Sequence, residues 1–373
     1  MAGSAAALAA RANGATVTVL TKGPGATAFC GGAVWGEGSP ASAALSASGL
    51  FQPVARGAWL CSVRGELQRA GAALPAQAYG AVRPGHRVAV VGFRGAPQLS
   101  DASWAAAGLQ AAGVEATAVE LALDLTTCEV RRSPFAWARD LDNPPALARL
   151  ASAINRLDQS FDLILLPPFI GFEGPALEQL RSASGRALGE LLATVPSVPG
   201  LRLSRALEAR VRGAGCDVQV GEVIALHAGE ARLSTGGAIA FDQAVLASGR
   251  FLGGGLRRAG ALVEPLLGLP LFVGDCGEGV AANAGARVDP NVMVQSLVGQ
   301  RAGDDAPIFR LGVRVDASFR PFDADGQPVA WARAVGSILA GPDRGLGFAI
   351  ETGAAGGQWA ARGDDSSLQS AVA

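Results

Sequence analysis

The sequence predicts an α/β protein of more than one domain, and three observations carry that reading. Strands alternate with helices through the middle of the chain. A helix of small residues, a β-branched strand and a glycine-rich loop follow one another at the start. Two hydrophobic strands, Gln243–Ala247 and Ala332–Val335, each run into a turn of glycine and other small residues.

Composition supports a packed fold. Hydrophobic residues make up 49% of the 373 and charged residues 17%, which is globular rather than disordered. At roughly 100–200 residues per domain, this length allows two or three domains. The formal net charge is −1, so no electrostatic footprint for nucleic acid or an anionic membrane is visible. The strongest apolar run, Phe161 to Phe172, is interrupted by Pro167 and Pro168 and is shorter than the ~20 residues of a membrane helix. Cys30, Cys61, Cys128, Cys216 and Cys276 form no CxxC pair, so neither zinc nor iron–sulfur ligation is read from them. Reduced thiols are expected, with Cys30 alone in a loop of functional character. His86 and His227 are read as structural. With no Ser–His–Asp set and no metal-ligand cluster, no catalytic residue and no metal site is assigned.

Each element has a local reason. Gly3 to Asn13 is rich in alanine and predicts a helix, with Gly14 as its stop. Ala15–Leu20 carries β-branched residues and predicts a buried strand, and the loop Thr21–Trp35 is dense in Gly, Ala, Thr and Ser. In the middle, strands are expected at His86–Phe93, Val114–Leu123 and Asp162–Leu166. Helices are expected at Ala102–Ala112, from Asn143 to about Leu157, and over Gly174–Leu192. From Leu201 a helix runs to Val211, followed by a meander over Asp217–Gly221, Val223–His227, Glu230–Ser234 and Gln243–Ala247. Later come a strand near Gly312–Val315, a turn at Asp323–Gly326 and a last helix over about Gly347–Ala361. The expected domains are 1–81 and 199–363, two parts of one nucleotide-binding domain, with an inserted α/β domain at 82–198 and a flexible tail at 364–373. Ala15–Leu20, Gln243–Ala247 and Ala332–Val335 are expected to share one parallel sheet.

Three motifs point to a nucleotide. Gly3 stands where the dinucleotide fingerprint G-x-G-x-x-G has its third glycine, the one that lets the helix approach the sheet, and Ser4 and three alanines follow. The strand and the first two glycines of that fingerprint do not precede it. The sequence is therefore expected to be N-terminally truncated, with a hydrophobic strand and a G-x-G encoded upstream of Met1, and to be poorly soluble as it stands. After the next strand a ribose-binding acid is common; Thr21 occupies that position. The second motif is Ala247-Ser248-Gly249-Arg250, a turn whose small residues let the backbone pass close to a nucleotide. The third is Gly336-Ser337 and the loop to Gly341, then Gly345, Gly347 and Phe348 at a helix start. The partial positive charge of a helix N-terminus there suits the anionic edge of a reduced flavin. Each motif alone also fits an ordinary alanine helix or strand-to-turn passage. Their order along the chain predicts a Rossmann-like, two-dinucleotide-binding flavoprotein domain. Glu351, in the same helix, is expected to face solvent.

Several longer strings carry a resemblance. Ala26-Thr27-Ala28-Phe29 with Gly31-Gly32-Ala33, the stretch Leu166-Pro167-Pro168-Phe169-Ile170-Gly171-Phe172-Glu173-Gly174, and Pro196-Ser197-Val198-Pro199-Gly200-Leu201-Arg202-Leu203 are three of them. Val245 to Leu256, Glu264-Pro265-Leu266-Leu267-Gly268-Leu269, Arg320-Pro321 and Gly336 to Asp343 complete the set. Together they resemble the B subunits of anaerobic glycerol-3-phosphate dehydrogenase, within the fumarate-reductase-like flavoproteins.

The resemblance implies a flavin cofactor, FMN or FAD, held by Gly3, Ser4, Thr21, Lys22, Thr27, Gly31, Gly32, Ala247, Ser248, Gly249, Arg250, Gly336, Ser337, Gly345, Gly347 and Phe348. It implies a three-subunit complex. A second flavoprotein would carry the sn-glycerol 3-phosphate site, an iron–sulfur subunit would tie the pair to the membrane, and electrons would pass to quinone. The chain itself would be cytoplasmic and peripheral to the membrane through that complex. Two other readings stand beside this one: a self-contained flavoprotein dehydrogenase or reductase of another small substrate, and a flavin-free scaffold for another subunit.

Overall fold

The computed structural model describes residues 1–34, 49–94, 102–123, 133–274, 285–292, 297, 306–342 and 345–362. It is a mixed α/β protein with both parallel and antiparallel sheets. The chain divides into two compact units, one formed by Met1–Ala26 with Leu207–Ala373 and the other by Thr27–Ala206. Residues 27–81, read from the sequence as part of the nucleotide-binding domain, lie in the second unit. The expected tail at 364–373, together with Cys128 and Cys276, lies outside the described residues.

The second unit is built on a four-stranded parallel sheet in the order Leu188–Glu190, Leu163–Leu166, Arg87–Phe93, Glu115–Leu121. Side chains alternate across a strand, so Arg87–Phe93 feeds two cores. Ala89, Val91 and Phe93 pack with Trp137, Leu147, Leu150 and Leu177 on one face. Val88 and Val90 pack with Ala105, Ala106 and Leu109 on the other. A sheet covered on both faces needs near-continuous apolar strands, and Leu163–Leu166 is apolar and buried at all four positions.

One expected element is corrected here. The helix read over Gly174–Leu192 stops after Ala176–Ser184, and Leu188–Glu190 is a strand. Gly185 is the cause: it takes the left-handed conformation (φ +66°) and caps the helix by bonding back to the Arg181 carbonyl. The helix Pro134–Asp140, which the sequence reading missed, starts with Ser133 as a side-chain cap on Ala136.

In the first unit the helix Ala2–Ala12 leads into the strand Thr18–Thr21. The expected single parallel sheet is not formed. Thr18–Thr21 pairs in parallel with Asp217–Val220, and Ala244–Leu246 pairs in parallel with Ala332–Ala334, and these are separate two-stranded sheets. Asp217–Val220 was expected in the meander. The helix Val198–Gly213 instead delivers it parallel to Thr18–Thr21, leaving Val223–His227, Glu230–Leu233 and Ala238–Ala240 as the antiparallel meander. Helix Ala2–Ala12 is what the two parallel pairs share: it packs on both Thr18–Thr21 and Ala244–Leu246.

The last helix, Gly345–Arg362, packs along Ala2–Ala12. A Cβ on Gly353 would run into the Ala2 carbonyl, and one on Gly357 into the Ala6 carbonyl. Residues four apart on each helix thus meet in the same direction, so the two helices run parallel, backbone against backbone. Gly357→Ala is expected to force them apart at a cost of about 1–3 kcal/mol, the usual scale for overpacking. Each kcal/mol lowers Tm by roughly 2–4 °C at this domain size, and calorimetry of the variant checks it.

Glu264 is fully buried and accepts N–H groups from Leu266 and Leu267 at 2.9 and 2.7 Å. Burial outweighs these bonds and raises its pKa above the ordinary carboxylate value. A carboxyl with a raised folded pKa favours the fold fully below its unfolded pKa, and that contribution is lost as pH rises through the folded value. Glu264→Gln removes this titration. Its Tm relative to wild type is therefore expected to improve steadily as pH rises from 4 toward 8, and a flat difference across that range contradicts the assignment.

Candidate functional site

Thirteen of the sixteen expected site residues lie in the first unit, and the geometry brings most of them together. The C-terminal ends of Ala244–Leu246 and Ala332–Ala334 carry the turns Ala247–Gly249 and Gly336–Ile338. The first turn of helix Ala2–Ala12 sits against both turns. A Cβ on Gly3 would lie 3.3 Å from the Ala247 Cβ, and one on Gly336 would lie 2.6 Å from the Ala2 Cβ. Gly336 also has φ +75°, which no β-carbon tolerates cheaply. Gly249 faces the Ser337 hydroxyl at 3.4 Å in the same sense. Small residues are needed at these positions because three backbones converge there.

The start of the last helix is bound into the same cluster. Thr352 is buried; its Oγ1 donates to the Phe348 carbonyl at 2.7 Å and accepts the Gly336 N–H at 2.9 Å. One hydroxyl thus ties the helix to the turn after Ala332–Ala334. The helix begins at Gly345, two residues earlier than expected. Gly347 is buried in its first turn, and Glu351 lies in the second turn and is exposed. Because the two helices run parallel, the positive ends of both dipoles face the same side of the unit, beyond the carboxyl ends of the strands.

The remaining residues of this unit play other parts. Thr21 Oγ1 accepts the Gly23 N–H at 3.2 Å and donates to the Gly23 carbonyl at 2.9 Å, closing its own turn. Lys22 is exposed and 3.9 Å from Glu222. Arg250 turns inward and donates to the carbonyls of Phe309, Leu339 and Gly341. It therefore clamps the loop after Gly336 with a side chain expected to meet the cofactor. Ser248 Oγ is buried without a hydrogen-bond partner among the described residues. Ser4 is half-buried in the first turn of Ala2–Ala12.

Thr27, Gly31 and Gly32 belong to the second unit, where they form a tightly held loop. The Cys30 carbonyl accepts the Ser197 hydroxyl at 2.6 Å, the Gly31 carbonyl accepts the Ala193 N–H at 3.0 Å, and the Gly32 carbonyl accepts the Leu74 N–H at 2.8 Å. Burial pushes the Cys30 thiol up to about 11, so it is not a nucleophile at neutral pH. Beneath the loop lies a cluster that sequence reasoning missed. Glu190, at the end of Leu188–Glu190, has a side chain with no exposed surface. It accepts Gln77 Nε2 at 2.8 Å, the Ile170 N–H at 2.7 Å and Arg202 Nη2 at 2.7 Å. No local pattern marks it: Gln77 and Arg202 lie 113 and 12 residues away, and only the fold brings them together.

No family model matches the chain, and no solved structure matches it. Curated proteins do. A 208-residue stretch is 35% identical to the B subunit of the anaerobic glycerol-3-phosphate dehydrogenase of Yersinia enterocolitica, covering 51% of this chain and 48% of that one. This chain is similar to those B subunits. The corresponding B subunit of Yersinia pestis is 30% identical over 282 residues, 70% of this chain and 60% of the relative. A probable B subunit of the same enzyme in Halobacterium salinarum is 29% identical over 309 residues, 73% and 66% respectively. The chain thus spans about half to two-thirds of the length of the curated relatives it matches. Among the described residues no helix is long and apolar enough to cross a membrane.

Thr352→Val tests the tie between the last helix and the Gly336 turn. It keeps the side-chain shape but leaves the buried Gly336 N–H without an acceptor, at an expected cost of about 1–3 kcal/mol. Thr352→Ser, which keeps the hydroxyl, should lose clearly less in chemical denaturation. Equal losses would show that the methyl, not the hydrogen bond, matters.

Proposed function

We propose that this chain is a flavin-binding redox subunit of a quinone-linked anaerobic glycerol-3-phosphate dehydrogenase. The complex would oxidise sn-glycerol 3-phosphate to dihydroxyacetone phosphate and pass the electrons to quinone. The observation that carries the reading is the similarity to several B subunits of that enzyme over half the chain or more. In this reading the first unit is a Rossmann-like, two-dinucleotide-binding flavoprotein domain whose two parts flank the second unit in sequence. The partners are a catalytic flavoprotein subunit and an iron–sulfur subunit that anchors the assembly, so the chain works at the cytoplasmic face of the membrane without spanning it.

The residues of the first unit fit a flavin on three counts. Gly3, Ala247, Gly249 and Gly336 let the first turn of Ala2–Ala12 and the two strand-end turns converge closely, as backbone that must approach a nucleotide does. Two parallel helices aim their positive ends at the side where ligands of α/β sheets bind. Thr21 is spent on its own turn and no acid replaces it, which favours a mononucleotide such as FMN over a dinucleotide gripped by its ribose. Bound there, the flavin would supply the two-electron redox step. This chain's own residues would bind and orient it: the turns Ala247–Gly249 and Gly336–Ser337 by close backbone approach, and Gly345, Gly347 and Phe348 by the positive end of their helix. Exposed Glu351 adds no opposing charge at the ring. Ser248 offers a buried hydroxyl to a polar group of the ligand. Lys22, in the open, offers charge to a phosphate.

The test is direct. Purified on its own, away from the other flavoprotein subunit, this chain is expected to be yellow, and acid extraction with chromatography identifies FMN or FAD. A colourless preparation would sink the reading in favour of a flavin-free scaffold. Gly347→Pro removes one N–H of the first turn, where proline leaves a helix intact. A helix terminus stabilises an anion by roughly 0.3–1 kcal/mol, up to about 2 when partly buried. With about 30 mV per 1.4 kcal/mol for a two-electron couple, the midpoint potential should fall by roughly 5–40 mV. Unchanged flavin content and potential would remove this helix from the site.

A further inference from the structure

The second unit carries a groove that the redox reading does not use. It opens beyond the carboxyl end of the edge strand Glu115–Leu121, between that strand end and the helix Pro144–Asn155. Ala122, Leu123 and Ala148 form its apolar lining, Arg149, Ser152 and Arg156 its polar lining, and its volume is about 320 Å³. Spacing along the helix puts the polar three together. Ser152 stands three residues after Arg149 and four before Arg156, so all three share one face. The arginines lie two turns apart, about 10 Å along the axis, with the hydroxyl between them. Leu147, Leu150, Ala151 and Ile154 turn the other face of the helix into the core.

Every polar side chain of the groove can donate, and no carboxylate lines it. Neither guanidinium has a hydrogen bond or ion pair to a described residue, and the Ser152 hydroxyl has none either. Asp158, the next carboxylate along the chain, is engaged elsewhere: it accepts the Ser160 N–H at 2.9 Å and feels the charges of Arg87 and Arg186. The backbone adds donors. The ladder with Arg87–Phe93 ends at Leu121, and the N–H groups of Ala122 and Leu123 have no acceptor among the described residues. Arg156, at the helix end, also offsets the negative pole of the helix dipole. Arg149 stands in mid-helix and has no such task.

Two unpaired cations and a hydroxyl on one wall select an anion. One guanidinium fork satisfies both oxygens of a carboxylate, whereas a phosphate has oxygens enough for two forks and a hydroxyl. The place is also the usual one, since ligands of open α/β sheets lie beyond the carboxyl ends of the strands. We propose that this groove binds the phosphate group of a small phosphorylated ligand, with Arg149 and Arg156 closing on it over Ser152. The second unit is then a ligand-binding unit in its own right, and its site stands whether or not the chain holds a flavin.

The probe is radiolabelled inorganic phosphate, dialysed to equilibrium against the full chain at fixed ionic strength with chloride as the other anion. Binding is expected to saturate. Arg149→Ala and Arg156→Ala should each weaken it by roughly tenfold, the scale of a hydrogen bond to a charged group, and Ser152→Ala by less. All three side chains are exposed, so these variants are expected to keep the wild-type Tm. Arg210→Ala removes an exposed cation from the other unit and should leave binding unchanged. Binding that does not saturate, or falls equally in Arg210→Ala, reduces the groove to general surface charge and overturns the proposal. So does acetate that displaces phosphate at equal concentration. Should phosphate fail to bind while Arg149→Ala and Arg156→Ala loosen the chain's hold on co-expressed partner subunits, the groove is a docking surface for an acidic protein segment and the proposal falls.

Discussion

The first unit depends on one contact, the face-to-face packing of the helices Ala2–Ala12 and Gly345–Arg362. The segments that form this unit are separated in sequence by the whole of residues 27–206, so their association carries a large loop-closure cost that grows slowly with length. Backbone contact at Gly353 and Gly357 is what offsets it. With no side chains between them, the helices approach until carbonyls and Cα atoms touch, and many weak dispersion contacts accumulate along two turns. Everything that follows at the candidate site is set by this approach. Ala2 reaches Gly336, Gly3 reaches Ala247, and Thr352 reaches the Gly336 N–H only because the helices lie so close.

The second unit follows a different logic. Its sheet is apolar on both faces and holds itself together through the hydrophobic effect, so its polar groups are free to specify detail. The Glu190 hub does so. A buried carboxylate shared by a carboxamide, a guanidinium and a backbone amide is satisfied in only one arrangement of the segments that supply them. Asp142 works in the same way on a smaller scale. Its carboxylate accepts the N–H groups of Phe172 and Glu173 at about 3 Å and fixes the turn after Leu163–Leu166. Apolar burial supplies the stability here, and carboxylates placed at strand and helix ends choose the loop geometry.

Much of this was legible in the residues. The helices Ala2–Ala12, Ala102–Ala111 and Pro144–Asn155 lie within a residue or two of where composition and capping placed them, because each is a local pattern with a local stop. Gly3 was readable as a position for a small residue, because the helix there packs tightly against Ala247. Pairing was not readable. Thr18–Thr21 and Ala332–Ala334 are both short strands, and nothing in either says that the first takes Asp217–Val220 as its neighbour while the second takes Ala244–Leu246. Partner choice in a parallel sheet is made by crossover geometry and by the helices laid over it, which are long-range facts. Glu190 was hidden for a related reason: it stands in a run read as helix, and its significance lies wholly in groups that the fold brings to it.

Arg250 shows how the candidate site obtains its electrostatic character. Following a small-residue turn, an arginine reads naturally as a ligand for a phosphate. Its guanidinium instead meets the carbonyls of Phe309, Leu339 and Gly341. Converging carbonyl oxygens create a region of negative potential, and a planar cation with several fixed donors is well suited to neutralise it. Removing that negative field is itself useful to an anion bound nearby. Lys22 is exposed and only loosely paired with Glu222, in a setting where solvent screens most of its charge. The positive potential at these helix starts therefore comes chiefly from backbone dipoles, those of Ala2–Ala12 and Gly345–Arg362, which point the same way. Such a field is fixed by the fold and needs no reorganisation when the charge on a ligand changes. That property suits a redox cofactor better than a mobile side-chain cation would.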